Sequence, residues 1–340
     1  MTFAPMKISI LLALGLTACG SSSNGASVDA ASGGDGGHQP DGAANADGRT
    51  GTSGRTVFVI PMENESSSAI YNNAGAPYIN NMLMPVAAYA SMFADELPSA
   101  IPSEPHYVWM EAGTNVFADQ TFLTDADAST SNSTNSTAHL VAQLHTANLD
   151  WTSYQEGIAA GTCPISSISG AFYAAKHDPF VFFQDVSGNP PSPSNAYCVA
   201  HHKPYSAFAA DLAAGTMPSF VFITPDLCHD MHGAAGCPSG TAASTNITAG
   251  DTWLSTELPR ILAYASAHDS IVYVIWDEGS SNQTVPFLAL GPHVKAGGSA
   301  VAYSHSSQLK SIEEQLGVPV LSSVTAANDF AAMYQTGSFP

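Results

Sequence analysis

Five short clusters in this chain carry side chains that could share one piece of chemistry: Glu63-Asn64, Ser103, the run Asp226 to His232 with Asp230 inside it, Asp277-Glu278, and His305. Carboxylates and an Asn amide oxygen are hard donors suited to magnesium, manganese or calcium, with zinc also open. A serine hydroxyl bound to such an ion loses its proton at moderate pH and becomes a nucleophile. Ser103 stands where Ser103-Glu104-Pro105-His106-Tyr107-Val108-Trp109-Met110 reads as a helix start, with Ser103 near the N-cap and Pro105 in the first turn. The free N–H groups of such a helix end suit a phosphate. Attack of a serine on a phosphoester is the chemistry these groups fit, with histidines to bind a second metal, hold the phosphate or protonate the leaving group. Each piece alone has a plain structural reading: Glu63-Asn64 as a capped turn, Ser103 as an N-cap, His232 and His305 as hydrogen-bonded loop residues. The functional reading rests on their joint occurrence in this order.

The elements that must position them are apolar strands. Thr56 to Met62 runs into Glu63, Ser219 to Thr224 into Pro225-Asp226, and Ile271 to Trp276 into Asp277. In open α/β sheets the carboxyl ends of the strands are where ligands bind. If the first and last of these strands are neighbours, four oxygen-bearing side chains converge on one spot. Between them the pattern predicts a helix over 76–93 with Pro77 in its first turn, a polar surface loop over 124–137, a helix over 138–148 and a strand over 151–155. An irregular stretch follows over 160–204, then helices over 205–214 and 251–268, the latter tolerating Pro259. A strand over 285–290 and a helix over 306–316 complete the series. Alternating strands and helices imply an α/β fold with a mostly parallel central sheet and helices on both faces.

The chain has 340 residues and is 45% hydrophobic, ample for one large α/β domain or two small ones. Its 8 Lys+Arg against 28 Asp+Glu give a net charge of -20, which excludes the basic surface that nucleic-acid binding requires. No basic cluster is present to dock on anionic lipid, and the acidity reads as a solubilising surface. Residues 1–19 read as a targeting segment: Lys7, an apolar run from Ile8 to Leu16, then Leu16-Thr17-Ala18-Cys19. The run is far short of the roughly 20 residues a membrane span needs. Leu-Thr-Ala-Cys resembles the lipobox of bacterial lipoproteins, in which the Cys becomes the lipidated N-terminus; an ordinary signal peptide is the alternative. Residues 20–54 are Gly, Ser, Ala and Asp with almost nothing apolar, the composition of a disordered tether. The folded domain is then 55–340, exported, either as a cell-envelope lipoprotein at the outer membrane or cell surface or as a secreted protein. Any membrane contact is through the lipid anchor. Cys163, Cys198, Cys228 and Cys237 remain, an even number that suggests disulfides. Three connectivities are possible; the sequential one closes the shortest loops, the smaller contributing on the order of 3 kcal/mol. No Cys-x-x-Cys spacing favours zinc.

In their order, the motifs resemble the bacterial and fungal phosphoesterase family that includes acid phosphatases and phosphatidylcholine-type phospholipases C, a family similar in fold to the alkaline-phosphatase superfamily. The residues that carry the resemblance are Val59-Ile60-Pro61-Met62-Glu63-Asn64, Pro102-Ser103-Glu104-Pro105-His106-Tyr107 with Gly113-Thr114, Tyr154-Gln155-Glu156, Lys176-His177-Asp178-Pro179-Phe180, Phe222 to Asp226 with Asp230-Met231-His232, Asp277-Glu278-Gly279, Gly291-Pro292 and Tyr303-Ser304-His305. The resemblance implies that Glu63, Asn64, Asp277 and Glu278 ligate a divalent cation and that Ser103 is the metal-bound nucleophile. Asp230, His232 and His305 would contact phosphate or a second cation, and Asp226 and His177 would orient them. The chain departs from the family where His106 replaces an Asn that would donate an amide N–H to the phosphate, and where Ile101 stands in place of a frequent His. A neutral His106 could donate one hydrogen bond and a protonated one would add charge. The activity implied is metal-dependent hydrolysis of phosphoesters, on the pattern of an acid phosphatase. A phospholipase-C-type phosphodiesterase is the alternative, and a non-catalytic surface protein that binds phosphate or metal is the alternative from another class. The modest length, without an added lipid-binding module, leans toward the phosphatase.

Overall fold

The computed structural model describes residues 55–98, 100–238, 243–280 and 282–339. Cys19 and the 20–54 segment lie outside the described residues. Eight strands form one sheet: β1 Val57–Met62, β2 Ala88–Ala94, β3 Trp151–Gln155, β4 His202–Pro204, β5 Phe220–Thr224, β6 Ile271–Trp276, β7 Phe287–Leu290 and β8 Gly297–Ser304, in the order β4-β3-β5-β1-β6-β7-β2-β8. Only β7 runs antiparallel to its neighbours. Every residue of β1, β3, β5 and β6 is buried, so both faces of the central sheet are covered, which is why these segments read as continuous apolar runs rather than alternating ones.

The register of the two central strands decides the site. β1 and β6 are parallel neighbours with Met62 level with Trp276. Glu63 and Asp277, the next residue in each strand, therefore leave the sheet side by side, and the Asp277 N–H donates to the Met62 carbonyl at 3.1 Å. On the other side of β1, the Glu63 N–H donates to the Asp230 carbonyl at 2.7 Å, drawing in the segment after β5.

The segment 76–93 is not a helix. It forms a π-helical turn, Ile79–Leu83, and then β2. Pro85 lacks an N–H and its ring crowds the carbonyl four residues back, which disfavours a helix there, and pairing with β7 and β8 makes the residues beyond it a strand. Beyond it Ala88, Ala90 and Phe93 point to the core. The turn is held from outside, the Asp251 carboxylate accepting the N–H groups of Tyr78 (2.9 Å) and Ile79 (2.8 Å). With its side chain so engaged, Asp251 does not cap its own helix, which spans Ala243–Ala267 and starts eight residues before the expected boundary. The short β4 lies in the stretch expected to be irregular, and the Gly-led edge strand β8 lies between the last expected strand and the last expected helix, where no element is expected. Helices Ser103–Ala112, Leu140–Thr146, Phe208–Ala214 and His305–Leu316 lie close to their expected places. No described helix is long and apolar enough to cross a membrane.

The disulfides are sequential, Cys163–Cys198 and Cys228–Cys237. A second brace is ionic. His139, wholly buried, lies 2.9 Å from Glu111 and 3.0 Å from Asp185. Burial pulls its pKa down, but the hydrogen bonds to Asp185 and Glu111 outweigh that and raise it to about 9. A raised imidazole pKa adds stability that is complete below the ordinary value of 6.5 and is lost as pH rises through about 9. His139→Gln should therefore lower the free energy of unfolding by about 3 kcal/mol at pH below 6.5, since it strands the buried Glu111 and unpairs the more exposed Asp185, and by less above 9. Urea titrations across that range check it; an equal loss at both ends would rule out the ion pair.

Candidate active site

Ser103 is the first residue of its helix, and Pro102 occupies the cap position. Its hydroxyl is thereby released from capping, which Asp125 performs instead by accepting the Glu104 N–H at 3.0 Å. Ser103 Oγ lies 3.2 Å from Glu63 Oε2 and 3.2 Å from Glu278 Oε1, so one hydroxyl meets the ends of both β1 and β6. Asn64 takes a left-handed φ of 57°, which asparagine tolerates better than most residues. Its backbone N–H then donates to Asp277 Oδ1 at 2.9 Å and its side-chain amide to Glu63 Oε2 at 3.1 Å. Gly279 follows Glu278 because a Cβ there would stand 1.8 Å from the Asn282 carbonyl oxygen.

Asp230 is brought to the same place, with the acids rather than apart from them. Its segment turns through Met231, at φ 83°, and the His232 N–H closes onto Asp230 Oδ1 at 2.8 Å. His177 lies between Glu63 Oε1 (3.2 Å) and Asp230 Oδ2 (3.4 Å), its ring stacked on Tyr107. Burial, then the charge of Asp230, raises the Glu63 pKa well above its ordinary value; burial and Glu63 do the same to Asp277, and burial leads again for Asp230. Burial and Asp277 push Glu278 up to about 8. Burial, then Lys176 and His232, hold His177 neutral.

Four buried atoms here, Glu63 Oε1, Asp230 Oδ2, Asp277 Oδ2 and His177 Nε2, have no hydrogen-bond partner. An unsatisfied buried polar atom costs about 1–3 kcal/mol, and more when charged. Three carboxyl oxygens and an imidazole nitrogen left without partners near Ser103 are hard and borderline donors of the kind a divalent cation takes, and the residues fit such an ion.

Among the described residues, the one set of three His, Cys, Asp or Glu side chains whose ligand atoms all lie within 4.8 Å of one another is elsewhere: Glu156, Asp226 and His229. It is an internally satisfied ion pair. His229 Nδ1 lies 2.9 Å from Glu156 and 3.1 Å from Asp226, and these bonds, Asp226 first, raise its pKa to about 10. Asp226 thus braces the end of β5 to the end of β3. The acids around Ser103 stand further apart, as mutual repulsion requires.

His106 and His305 form a separate buried pair, ring centroids 6.3 Å apart. His106 Nε2 can only donate to the Ile101 carbonyl (3.2 Å), and burial with the neighbouring His305 lowers its pKa to about 3. It is therefore neutral, and its Nδ1, which has no partner, is an acceptor. It neither carries charge nor replaces an amide donor to phosphate. His305 Nε2 donates to the Trp276 carbonyl at 3.0 Å, fixing the backbone directly before Asp277, while its Nδ1 faces Glu96 at 3.6 Å. His232 commits Nδ1 to the Gly233 carbonyl at 2.7 Å, which leaves the lone pair on Nε2.

Two members of the site were not singled out as site residues from the sequence. Lys176 Nζ donates to Asp125 Oδ2 at 2.7 Å and approaches Ser103 Oγ at 3.4 Å. Lys176 was visible within a motif, but Asp125 lay in a run read only as a polar surface loop.

The sequence matches the family model described as "Phosphoesterase family" over residues 63–319. It is 29% identical over 265 residues to the phosphatidylinositol-3-phosphatase of Mycobacterium tuberculosis, with 77% of each chain covered. It is 26% identical over 234 residues to the phosphate-repressible acid phosphatase of Penicillium chrysogenum, covering 65% of this chain and 50% of that one, so the chain spans about half the length of this relative. The fold is similar to that of a protein in the alkaline phosphatase superfamily from Vibrio parahaemolyticus, with a TM-score of 0.52 at 12% identity over 84% of this chain and 71% of that one.

Raised carboxyl pKa values have a measurable sign. Between the ordinary 4.5 and about 8, folded Glu278 keeps a proton that the unfolded chain has released, so stability falls as pH rises through that window. The melting temperature of the chelator-treated protein should fall across it, and added divalent cation should restore the loss at the alkaline end. Glu278→Gln should flatten the slope. A pH-independent melting temperature without cation would contradict the geometry.

Proposed function

Because the chain belongs to the phosphoesterase family, we propose that it hydrolyses phosphomonoesters in the manner of an acid phosphatase, with Ser103 as nucleophile and a divalent cation held by Glu63, Asn64, Asp277 and Glu278. The observation that carries this reading is the single hydroxyl placed 3.2 Å from carboxylates at the ends of two adjacent strands. Relatives named as phosphatases support the monoester over the lipid diester.

A cation at this place supplies the positive charge that makes the serine oxygen nucleophilic at moderate pH. The chain's own groups do the rest. Ser103 Oγ forms a bond to phosphorus as the bond from phosphorus to the ester oxygen breaks; the hydroxyl proton leaves through Glu278 Oε1 to water, and the departing alcohol takes a proton from water. A second water then attacks phosphorus, giving its proton to His232 Nε2, as the bond from phosphorus to Ser103 Oγ breaks; Ser103 takes a proton back from water, His232 releases its own to solvent, and orthophosphate departs. His305 serves by holding the Trp276 carbonyl, and so Asp277, in place. Asp230 and His177 face the cation's side of the site.

The same reading places the enzyme on the outside of the cell, attached through Cys19 and spaced from the membrane by residues 20–54. Two disulfides are consistent with export. Cys19→Ser should release the protein from the membrane fraction with its activity intact; retention there would refute the anchor. Ser103→Ala should lower turnover of para-nitrophenyl phosphate by about three orders of magnitude or more, and chelation should do likewise, reversibly. Near-wild-type turnover by the alanine variant would sink the nucleophile assignment.

A further inference from the structure

We propose that Lys176 is a catalytic residue: its ammonium, anchored on Asp125 beside Ser103 Oγ, is a built-in cation that takes charge from the transferring phosphoryl group, so that the site works with one exchangeable divalent ion. This rests on the reading of Ser103 as nucleophile. Of the 8 Lys and Arg residues, Lys7 and Arg49 lie outside the described residues. Arg55 pairs with Asp269, Lys203 with Asp211 and Arg260 with Glu257; Lys310 donates to two backbone carbonyls, and Lys295 is exposed in the β7–β8 connection. Among the described residues, Lys176 alone of these points its charge at the serine.

Its place is built. Asp125 accepts the Lys176 ammonium through Oδ2 and the Glu104 N–H through Oδ1, so one carboxylate fixes the lysine to the same helix end that carries the nucleophile. Nζ stands 3.4 Å from Ser103 Oγ. A phosphorus bonded to Oγ would carry its non-bridging oxygens into reach of that ammonium. Those oxygens hold negative charge throughout phosphoryl transfer, and stabilising them is the main task left to the protein. Lys176 gives no proton; bonds form and break as stated above. It is followed by His177, which faces Glu63 and Asp230, so consecutive residues bring an ammonium to the serine and a neutral ring to the acids.

A fixed ammonium near a cation site leaves a signature that a structural lysine would not: it repels the metal while assisting the reaction. Lys176→Met should therefore lower kcat on para-nitrophenyl phosphate by about 100-fold or more and at the same time tighten manganese binding, measured calorimetrically on the chelator-treated protein, by about tenfold. Wild-type protein should bind one manganese ion. Lys176→Arg, which keeps the charge, should recover at least about tenfold of the lost kcat. Asp125→Asn, which keeps the ammonium but weakens its anchor, should lower kcat with little change in manganese affinity. A Lys176→Met kcat within about threefold of wild type would overturn the proposal. So would weakened manganese binding together with a lowered melting temperature, the mark of a folding defect, or two manganese ions bound at the wild-type site. Manganese affinity is read without turnover, so failure of the serine mechanism, shown by an active Ser103→Ala, is distinguishable from failure of the lysine's role.

Discussion

Glu63, Asp230 and Asp277 are held together with no solvent exposure, and most of what surrounds them is explained by that constraint. Like charges in a low-dielectric interior repel strongly, and desolvation alone disfavours each. A strand end is one of the few places where backbone hydrogen bonds can force such neighbours. β1 and β6 align Glu63 with Asp277 by register, and the Glu63 N–H pulls the Asp230 backbone against them. The tightly packed apolar strands beneath supply the stability that this arrangement costs. Asn64 and His232 contribute backbone N–H groups to Asp277 and Asp230, partial compensation that leaves one oxygen of each acid open.

Around this cluster the fold separates support from chemistry. Charged groups that could have joined the acids are tied elsewhere: His229 to Glu156 and Asp226, His139 to Glu111 and Asp185. Each such brace satisfies its own polar atoms. The neutral imidazoles, His106, His177, His232 and His305, are the ones gathered near the acids, and burial lowers the pKa of every one. The surroundings of Ser103 thus hold carboxyl groups and neutral rings, with the Lys176 ammonium as the exception.

Much of this was legible from sequence because it lies on short, local signals. An apolar run ending in Glu63-Asn64 or Asp277-Glu278 says where a buried strand stops and what stands at its end. The Ser103 helix was equally plain. What escaped depends on partners distant in the chain. Asp125 looked like one more acid in a polar run until Glu104 and Lys176 were seen on either side of it. Segment 76–93 had helical composition, but β2 is a strand because β7 and β8 pair with it and Pro85 separates it from the turn before. His106 could be named as a departure, yet its neutrality follows from burial and from the neighbouring His305, and no local pattern encodes either. Asp230 reads from the sequence as a contact to phosphate or a second cation, and spacing alone does not reveal which of two acids four residues apart turns toward Glu63.

The Cys228–Cys237 bridge spans nine residues of sequence, and Asp230 and His232 both lie inside it. A loop closed covalently at its base has few conformations left to search. Under the proposed function, the ordering of these two residues is settled when the bridge forms, before any cation or ester arrives, and binding need not bear that entropy again. The site's readiness is set during maturation, by the oxidation of two thiols.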